Sequence, residues 1–238
     1  MAALAACLLL IVAGASIWYG DPFLLLTADY RTEPGAPRSI TLSDGSTLHL
    51  GPASAAAVHY TDNQRRVELL AGLAHFTARP TNPSETRPFI VTAKDGVARA
   101  LGTQFMVRHL TDTIEVTVIE HRVEVAVIGD EGERVVVSPG RAIRYAACGL
   151  SEVRTVNPSQ AMAWRRERLI FDRVPLSDVV TELNRYRRGR IVIVDPELAS
   201  RQVSGVFDMN SPDAALALIV RDLDIKAALL PPLVTLLY

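Results

Sequence analysis

The chain has 238 residues, 49% of them hydrophobic and 21% charged, enough for one or two domains with real cores. Its formal net charge of -1 gives no electrostatic footprint for nucleic acid. Two cysteines, Cys7 and Cys148, the first inside an apolar run, provide neither a disulfide framework nor a cysteine metal pattern.

From Ala2 to Gly20 no residue is charged. Roughly 19 helical residues would span about 28 Å, close to a bilayer core. Trp18 and Tyr19 fall where an interfacial aromatic belt sits. Residues 1–20 are therefore expected to form a transmembrane helix. The competing reading is a signal peptide cleaved after Ala13-Gly14-Ala15, but it lacks a basic n-region. Residues 21–37, with three prolines and Gly35, read as a connector.

Ser39 to Leu50, "SITLSDGSTLHL", holds Asp44, Ser46 and His49, the side-chain types of a nucleophilic triad. The apolar residues alternate instead, as in two half-buried strands. A two-residue loop of Asp44 and Gly45 would set Leu42 against Thr47, apolar against polar. A three-residue loop, Ser43-Asp44-Gly45, pairs Ile40 with Leu48 and places Gly45 where the turn needs positive φ. The stretch is expected to be a hairpin whose Asp44 and Gly45 serve the turn.

Period-2 runs continue through Val67-Glu68-Leu69, Phe89–Ala93, Phe105–Val107, Ile114–Val118, Val123–Val127, Val135–Val137 and Ile143–Tyr145. Turn residues separate them, including Asp95-Gly96 and Gly129–Gly132, so residues 38–150 read as an all-β domain, either a sandwich or a solenoid-like stack. Gly102-Thr103 precedes no helix that could hold an anion and reads as a close structural turn. His49, His59, His75, His109 and His121 lie on separate predicted strands without metal-ligand spacing. No catalytic residue, cofactor site or metal site is read from the sequence.

Residues 151–166 read as a linker running into a short helix. Beyond them, Leu169–Phe171 is a strand, Leu176 to Tyr186 has helical spacing, and Arg190–Val194 and Val203–Phe207 are strands. Ser211-Pro212-Asp213 opens a second helix with Ser211 as its cap. Two strands turned at Pro231-Pro232 close the chain. The order βαβ-βαβ predicts a small α/β domain over 167–238 with two helices on one sheet. The fold class is thus mainly β with a C-terminal α/β part.

"DGSTLHLGPAS", "RRVELLAGLAHF", "RPFIV" and "ALGTQFMVR" occur in that order, and the chain resembles the FecR family of membrane-anchored sigma-factor regulators. "LIFDRVPLSDVVTELNRY", "IVIVD" and "VSGVF" resemble that family's C-terminal part, which is similar to the short N-terminal domain of secretins and TonB-dependent receptors. The resemblance implies an inner-membrane, single-pass, non-catalytic protein with its bulk in the periplasm. It implies two partners: the periplasmic signalling domain of a TonB-dependent outer-membrane receptor, often for a ferric chelate, and an extracytoplasmic-function sigma factor. Family members usually carry a cytoplasmic helical domain before the span. This sequence starts at the span, so sigma-factor binding is expected only if such a domain lies upstream. Two further departures are His121 near a tight turn that usually holds Gly, and Leu73 in place of an acidic residue, an apolar side chain expected to be exposed.

In the C-terminal unit the basic run "NRYRRGR" offers Arg187 and Arg188 to an acidic partner, or reads as a solvated helix end. Val203, Val206 and Phe207 mark a strand edge open to β-augmentation, and an apolar patch around the terminal "LLPPLVTLLY" strands is the other candidate contact. The alternative function, from another class, is a non-catalytic envelope scaffold binding wall polysaccharide or another envelope protein.

Overall fold

A computed structural model describes residues 26–100, 102–128, 134–230 and 234–238. The expected transmembrane helix, the Gly129–Gly132 turn and the Pro231-Pro232 turn lie outside the described residues. Among the described residues no helix is long and apolar enough to cross a membrane.

The first part of the chain is a run of short strands: β1 (Tyr30–Arg31), β2 (Arg38–Thr41), β3 (Thr47–Leu50), β4 (Ala55–Tyr60), β5 (Arg65–Ala71), β6 (Leu73–Thr77), β7 (Phe89–Ala93) and β8 (Gly96–Ala100). It continues as β9 (Gln104–His109), β10 (Ile114–Glu120), β11 (Val123–Val127), β12 (Arg134–Val137), β13 (Arg141–Ala146), β14 (Gly149–Leu150) and β15 (Arg154–Thr155). They form two sheets, β1-β4-β5-β7-β8-β11-β12 and β14-β13-β10-β9-β6-β3-β2, with β15 also on β13. All pairings are antiparallel except β5 with β7. The inner faces close on one core, where Phe76 stacks on Phe105 at 5.2 Å and meets Phe89 at 6.2 Å. This is a sandwich, so the solenoid alternative falls away. It also uses more chain than 38–150: β1 lies inside the stretch read as connector and β15 inside the linker.

The alternation read from the sequence sets which side chains enter this core. On β5, β7 and β11 buried and half-buried residues alternate. The centre of the second sheet departs from it, because β6 and β10 are buried on both faces. Something covers their outer side, and that cover is the C-terminal unit.

The first hairpin closes as the parity argument requires. Ile40 pairs Leu48, the Leu42 N–H donates to the Ser46 carbonyl, and Gly45 has φ 82°. The β7–β8 turn differs from expectation. Its loop residues are Lys94, at φ 46°, and Asp95, while Gly96 already pairs with Ala93 in the strand. Gly96 is required by packing: a Cβ there would lie 2.1 Å from the Tyr145 ring, whose hydroxyl donates to the Ala93 carbonyl at 3.0 Å. Gly96→Ala is therefore expected to lower the stability measured in urea by about 1–3 kcal/mol, the usual cost of overpacking. An unchanged midpoint would show that the ring has room to move.

After a short helix, Pro158–Ala161, and a 3₁₀ turn, Ala163–Arg166, the C-terminal unit contains β16 (Arg168–Pro175), β17 (Arg190–Ile193), β18 (Gln202–Asp208), β19 (Ala227–Leu230) and β20 (Val234–Leu237). Helices Leu176–Leu183 and Pro212–Asp222 sit where the spacing predicts them. The single sheet expected there is two sheets. β16 pairs β18 antiparallel, while β17 lies parallel to β20, which pairs β19. Apolar spacing fixes each element but carries no information on partner choice, so the strand order was not accessible. Ser211 is at the cap position of the last helix but its side chain makes no cap bond; Asn157 caps Pro158–Ala161 and Asp195 caps a further short helix, Pro196–Ala199. Leu176, Val179, Leu183, Ile191, Val203 and Leu216 belong to the second core.

Candidate functional site

The second core does not belong to the C-terminal unit alone. Leu73 and Met106, from the outer face of the sandwich, are part of it. Leu73, expected to be exposed, is 1% exposed, and Gly51 leaves it the room: a Cβ at Gly51 would stand 2.6 Å from the Leu73 side chain. An apolar residue on the solvent side of an isolated strand is a core residue once another unit covers that side.

Beside this apolar contact runs a line of charge built by strand register. Glu115 on β10 lies opposite Arg108 on β9 and Arg144 on β13, so all three share the outer face. The Glu115 side chain is 2% exposed. Arg108 donates to it at 2.5 Å, Arg144 at 2.9 Å, and Arg154 closes the cluster. Arg108 also reaches Glu182 at 3.3 Å, and Arg144 comes within 3.6 Å of Asp178. Both acids stand on helix Leu176–Leu183 of the other unit. Glu182 takes a second bond from Arg185 at 2.7 Å, and Arg185 donates to the His109 carbonyl at 2.5 Å. Thr111 and Thr181 meet at 3.0 Å. The two units are therefore joined by a continuous relay, Glu115–Arg108–Glu182–Arg185. A cleft of ≈ 510 Å³ opens beside it, lined by Arg108, Arg144, Arg154, Phe171, Arg173 and Asp178.

The electrostatics follow from this packing. Burial works to raise the Glu115 pKa, but Arg108, Arg154 and Arg144 outweigh it and hold the carboxyl below its ordinary range. Burial pulls His109 down to about 4, against its bond to the Leu69 carbonyl and with help from Arg185 and Lys94. Both shifts act in the same direction on stability. A folded His109 that refuses a proton which the unfolded chain accepts near pH 6.5 loses stability as pH falls from about 7 towards 4. Glu115, with a depressed folded pKa, contributes above about pH 4.5 and loses that contribution as pH falls through its folded value. The urea midpoint is expected to drop steadily from pH 7 to pH 4, and His109→Gln should flatten the upper part of that slope. Equal slopes in the two proteins would remove His109 from the account.

The residues singled out by sequence scatter over different roles. Asp44 does hold its turn, accepting the Ser46 N–H at 3.0 Å and the Ser46 hydroxyl at 2.6 Å. It is also buried against Arg65 at 2.7 Å and Tyr60 at 2.9 Å, a role the turn reading missed. His49 turns away to Ser39 and the His75 ring, so no triad assembles. Gly102 has φ 74° and Thr103 is buried, consistent with a close turn. His121 adopts φ 57°, the left-handed turn position. The basic run divides. Arg185 and Arg187 are structural, Arg187 bonding Asp213 at 2.8 Å and Thr235 at 3.3 Å with a side chain 10% exposed. Arg188 and Arg190 are exposed. Val203 and Phe207 are buried, Phe207 against Phe171 at 5.7 Å, while Val206 is 63% exposed. Among the described residues no group of three His, Cys, Asp or Glu gathers that could hold a metal ion. Glu115 and Glu182 were missed by the sequence reading. Their signal is a charge on the polar face of an apolar strand or helix, which looks the same as a solvated position.

Fold and junction define a class: a β-sandwich locked to a small α/β unit through a buried ionic relay. Residues 28–124 match the family described as FecR protein, so this part of the chain carries a FecR domain. Two crystal structures of a candidate anti-sigma factor from Parabacteroides distasonis ATCC 8503, at 1.65 and 2.50 Å resolution, are similar along both units. Each is 25% identical, with a TM-score of 0.75 over 88% of this chain and 97% of the other. No curated protein matches the chain.

Proposed function

We propose that this chain is a cell-surface signalling regulator. It relays the state of a TonB-dependent outer-membrane receptor, of the kind that imports iron chelates, to an extracytoplasmic-function sigma factor. Residues 1–20 anchor it in the inner membrane, and residues after about Asp21 lie in the periplasm. The C-terminal unit receives the receptor's signalling domain, and contact with the sigma factor requires a cytoplasmic helical domain that precedes the span. The observation carrying this reading is the FecR domain joined to a second unit in the same arrangement as a candidate anti-sigma factor. The exposed apolar residues of that second unit, Val206, Val194 and Leu229, suit a protein contact.

An alkaline phosphatase fusion at Tyr238 is expected to be active in intact cells; an inactive fusion would place the bulk on the other side of the membrane. For the partner, the detergent-solubilised chain is titrated against purified signalling domains of TonB-dependent receptors from the same genome. Binding by one of them, weakened by Val206→Glu, supports the reading. No binding by any of them overturns it. Charge reversal belongs at Arg188 and Arg190, which are exposed. Glu at Arg187 would face Asp213 and test folding instead.

A further inference from the structure

The outer face of the second sheet carries one more row of side chains, which the ionic relay does not use. Register places Ser39 opposite His49, His49 opposite His75, and His75 opposite Met106. Directly opposed residues share a face, so these four stand side by side on β2, β3, β6 and β9. His75 is fully buried, and neither of its ring nitrogens has a hydrogen-bond partner. Buried polar atoms are nearly always satisfied, so two orphaned nitrogens on one ring call for a ligand. The His49 ring lies against it, 5.5 Å between centroids and 23° between planes. Nδ1 of His49 is 2.6 Å from the Ser39 hydroxyl. With its ring hydrogen on that nitrogen, His49 keeps a lone pair on Nε2, the way a second partner orients a metal-binding imidazole. Met106 is buried in the same apolar cluster as Trp164, from the 3₁₀ turn that leads into the C-terminal unit.

We propose that His49, His75 and Met106 form a site for a soft monovalent cation, with Cu(I) as its natural class of ligand and Ag(I) as its close chemical analogue. The donor set is two imidazoles and a thioether, with no carboxylate and no thiolate. Soft thioether ligands select Cu(I), whereas hard oxygen donors suit Mg(II), Ca(II) and Mn(II). His49 is only half-buried and gives the ion a way in from solvent. The site lies where the sandwich meets the turn that leads to the second unit. This inference stands apart from the receptor reading and is tested without it.

The experiment uses the full chain in detergent with Cys7→Ser and Cys148→Ser, because free thiols would take up Ag(I) themselves. Titration with Ag(I) alone is expected to show one equivalent bound and a rise in Tm. The ring signals of His49 and His75 should shift in a ¹H–¹⁵N correlation spectrum while those of His59, His109 and His121 stay. His49→Phe should abolish stoichiometric binding, and Met106→Leu should weaken it by at least about tenfold. His75→Leu stays close to the imidazole in volume and removes both orphaned nitrogens, so it should lose Ag(I) while its own Tm holds or rises. Zn(II) at the same concentration should bind at least about tenfold more weakly. Absence of stoichiometric Ag(I) binding in the cysteine-free background overturns the assignment. So does binding that survives both His49→Phe and Met106→Leu, or Zn(II) binding as tightly as Ag(I).

Discussion

Glu115→Ala is expected to destabilise the protein by about 3–5 kcal/mol, the usual cost of removing one partner from a buried ion pair. The carboxylate is 2% exposed and faces three guanidinium groups, of Arg108, Arg144 and Arg154. Without it those charges repel one another, and Arg108, 23% exposed, keeps only Glu182. The partial exposure of Arg144 and Arg154 lets water take up some of the loss, which favours the lower end of the range. Glu115→Gln keeps an acceptor oxygen and should cost less, about 1–3 kcal/mol. The damage should be local as well as global. Arg108 and Arg144 hold Glu182 and Asp178 of the second unit, so proteolysis between residues 151 and 166 should speed up in Glu115→Ala before the sandwich unfolds. A loss within about 0.5 kcal/mol, the ordinary range of a surface change, would show the relay to be a set of solvated pairs.

The same relay suggests how a signal could cross the molecule. Glu182 and Asp178 stand on the first helix of the second unit, and their partners stand on the central strands of the sandwich. Whatever moves that helix changes which carboxylate Arg108 can reach. An Arg108/Glu182 double-mutant cycle measures that coupling directly. Titrating these variants with a receptor signalling domain would test whether the binding proposed for the second unit is linked to it.

Local elements were legible in the sequence where one physical rule acts alone. Parity fixed the loop Ser43-Asp44-Gly45, because a slip of one residue would have turned Ile40 and Leu48 to solvent. Helical spacing fixed Leu176–Leu183. The tertiary partners were not legible, because outward-facing residues look the same whether water or another unit covers them. Glu115, Leu73 and His75 all occupy such positions. Leu73 is expected to be exposed and nothing in the sequence marks Glu115 or the burial of His75; the cover over β6, β9 and β10 decides all three. Arg187 shows the converse. A basic run looks like free charge until Asp213, on the last helix, is folded back against it.

The second large effect is expected at Asp44 and Arg65, whose side chains are 0% and 1% exposed and 2.7 Å apart. Arg65 also donates to the carbonyls of Arg87 at 2.9 Å and Arg79 at 3.1 Å, and its guanidinium lies 5.7 Å from the centre of the Phe89 ring. Asp44 takes further bonds from Tyr60 and from both the N–H and the hydroxyl of Ser46. Ser46 in turn accepts the Arg79 N–H at 2.9 Å. Every charge here is satisfied only while both partners stand. Asp44→Ala strands a buried guanidinium and Arg65→Met strands a buried carboxylate, so each alone should cost about 3–5 kcal/mol. The double variant removes both charges together and should cost at least about 1–3 kcal/mol less than the sum of the singles. The pair also has a pH signature. Burial tends to raise the Asp44 pKa, but the bonds from Ser46 and Arg65 prevail and hold it below the ordinary carboxylate range. The folded group therefore binds its proton later than the unfolded one. Its contribution is present above about pH 4 and disappears as pH falls through the folded value. Urea midpoints of the four proteins at pH 7 and pH 3 test both claims. Additive single losses would mean the two residues act independently. A pH-insensitive difference between wild type and Asp44→Ala would mean that the carboxylate charge has no part in the fold.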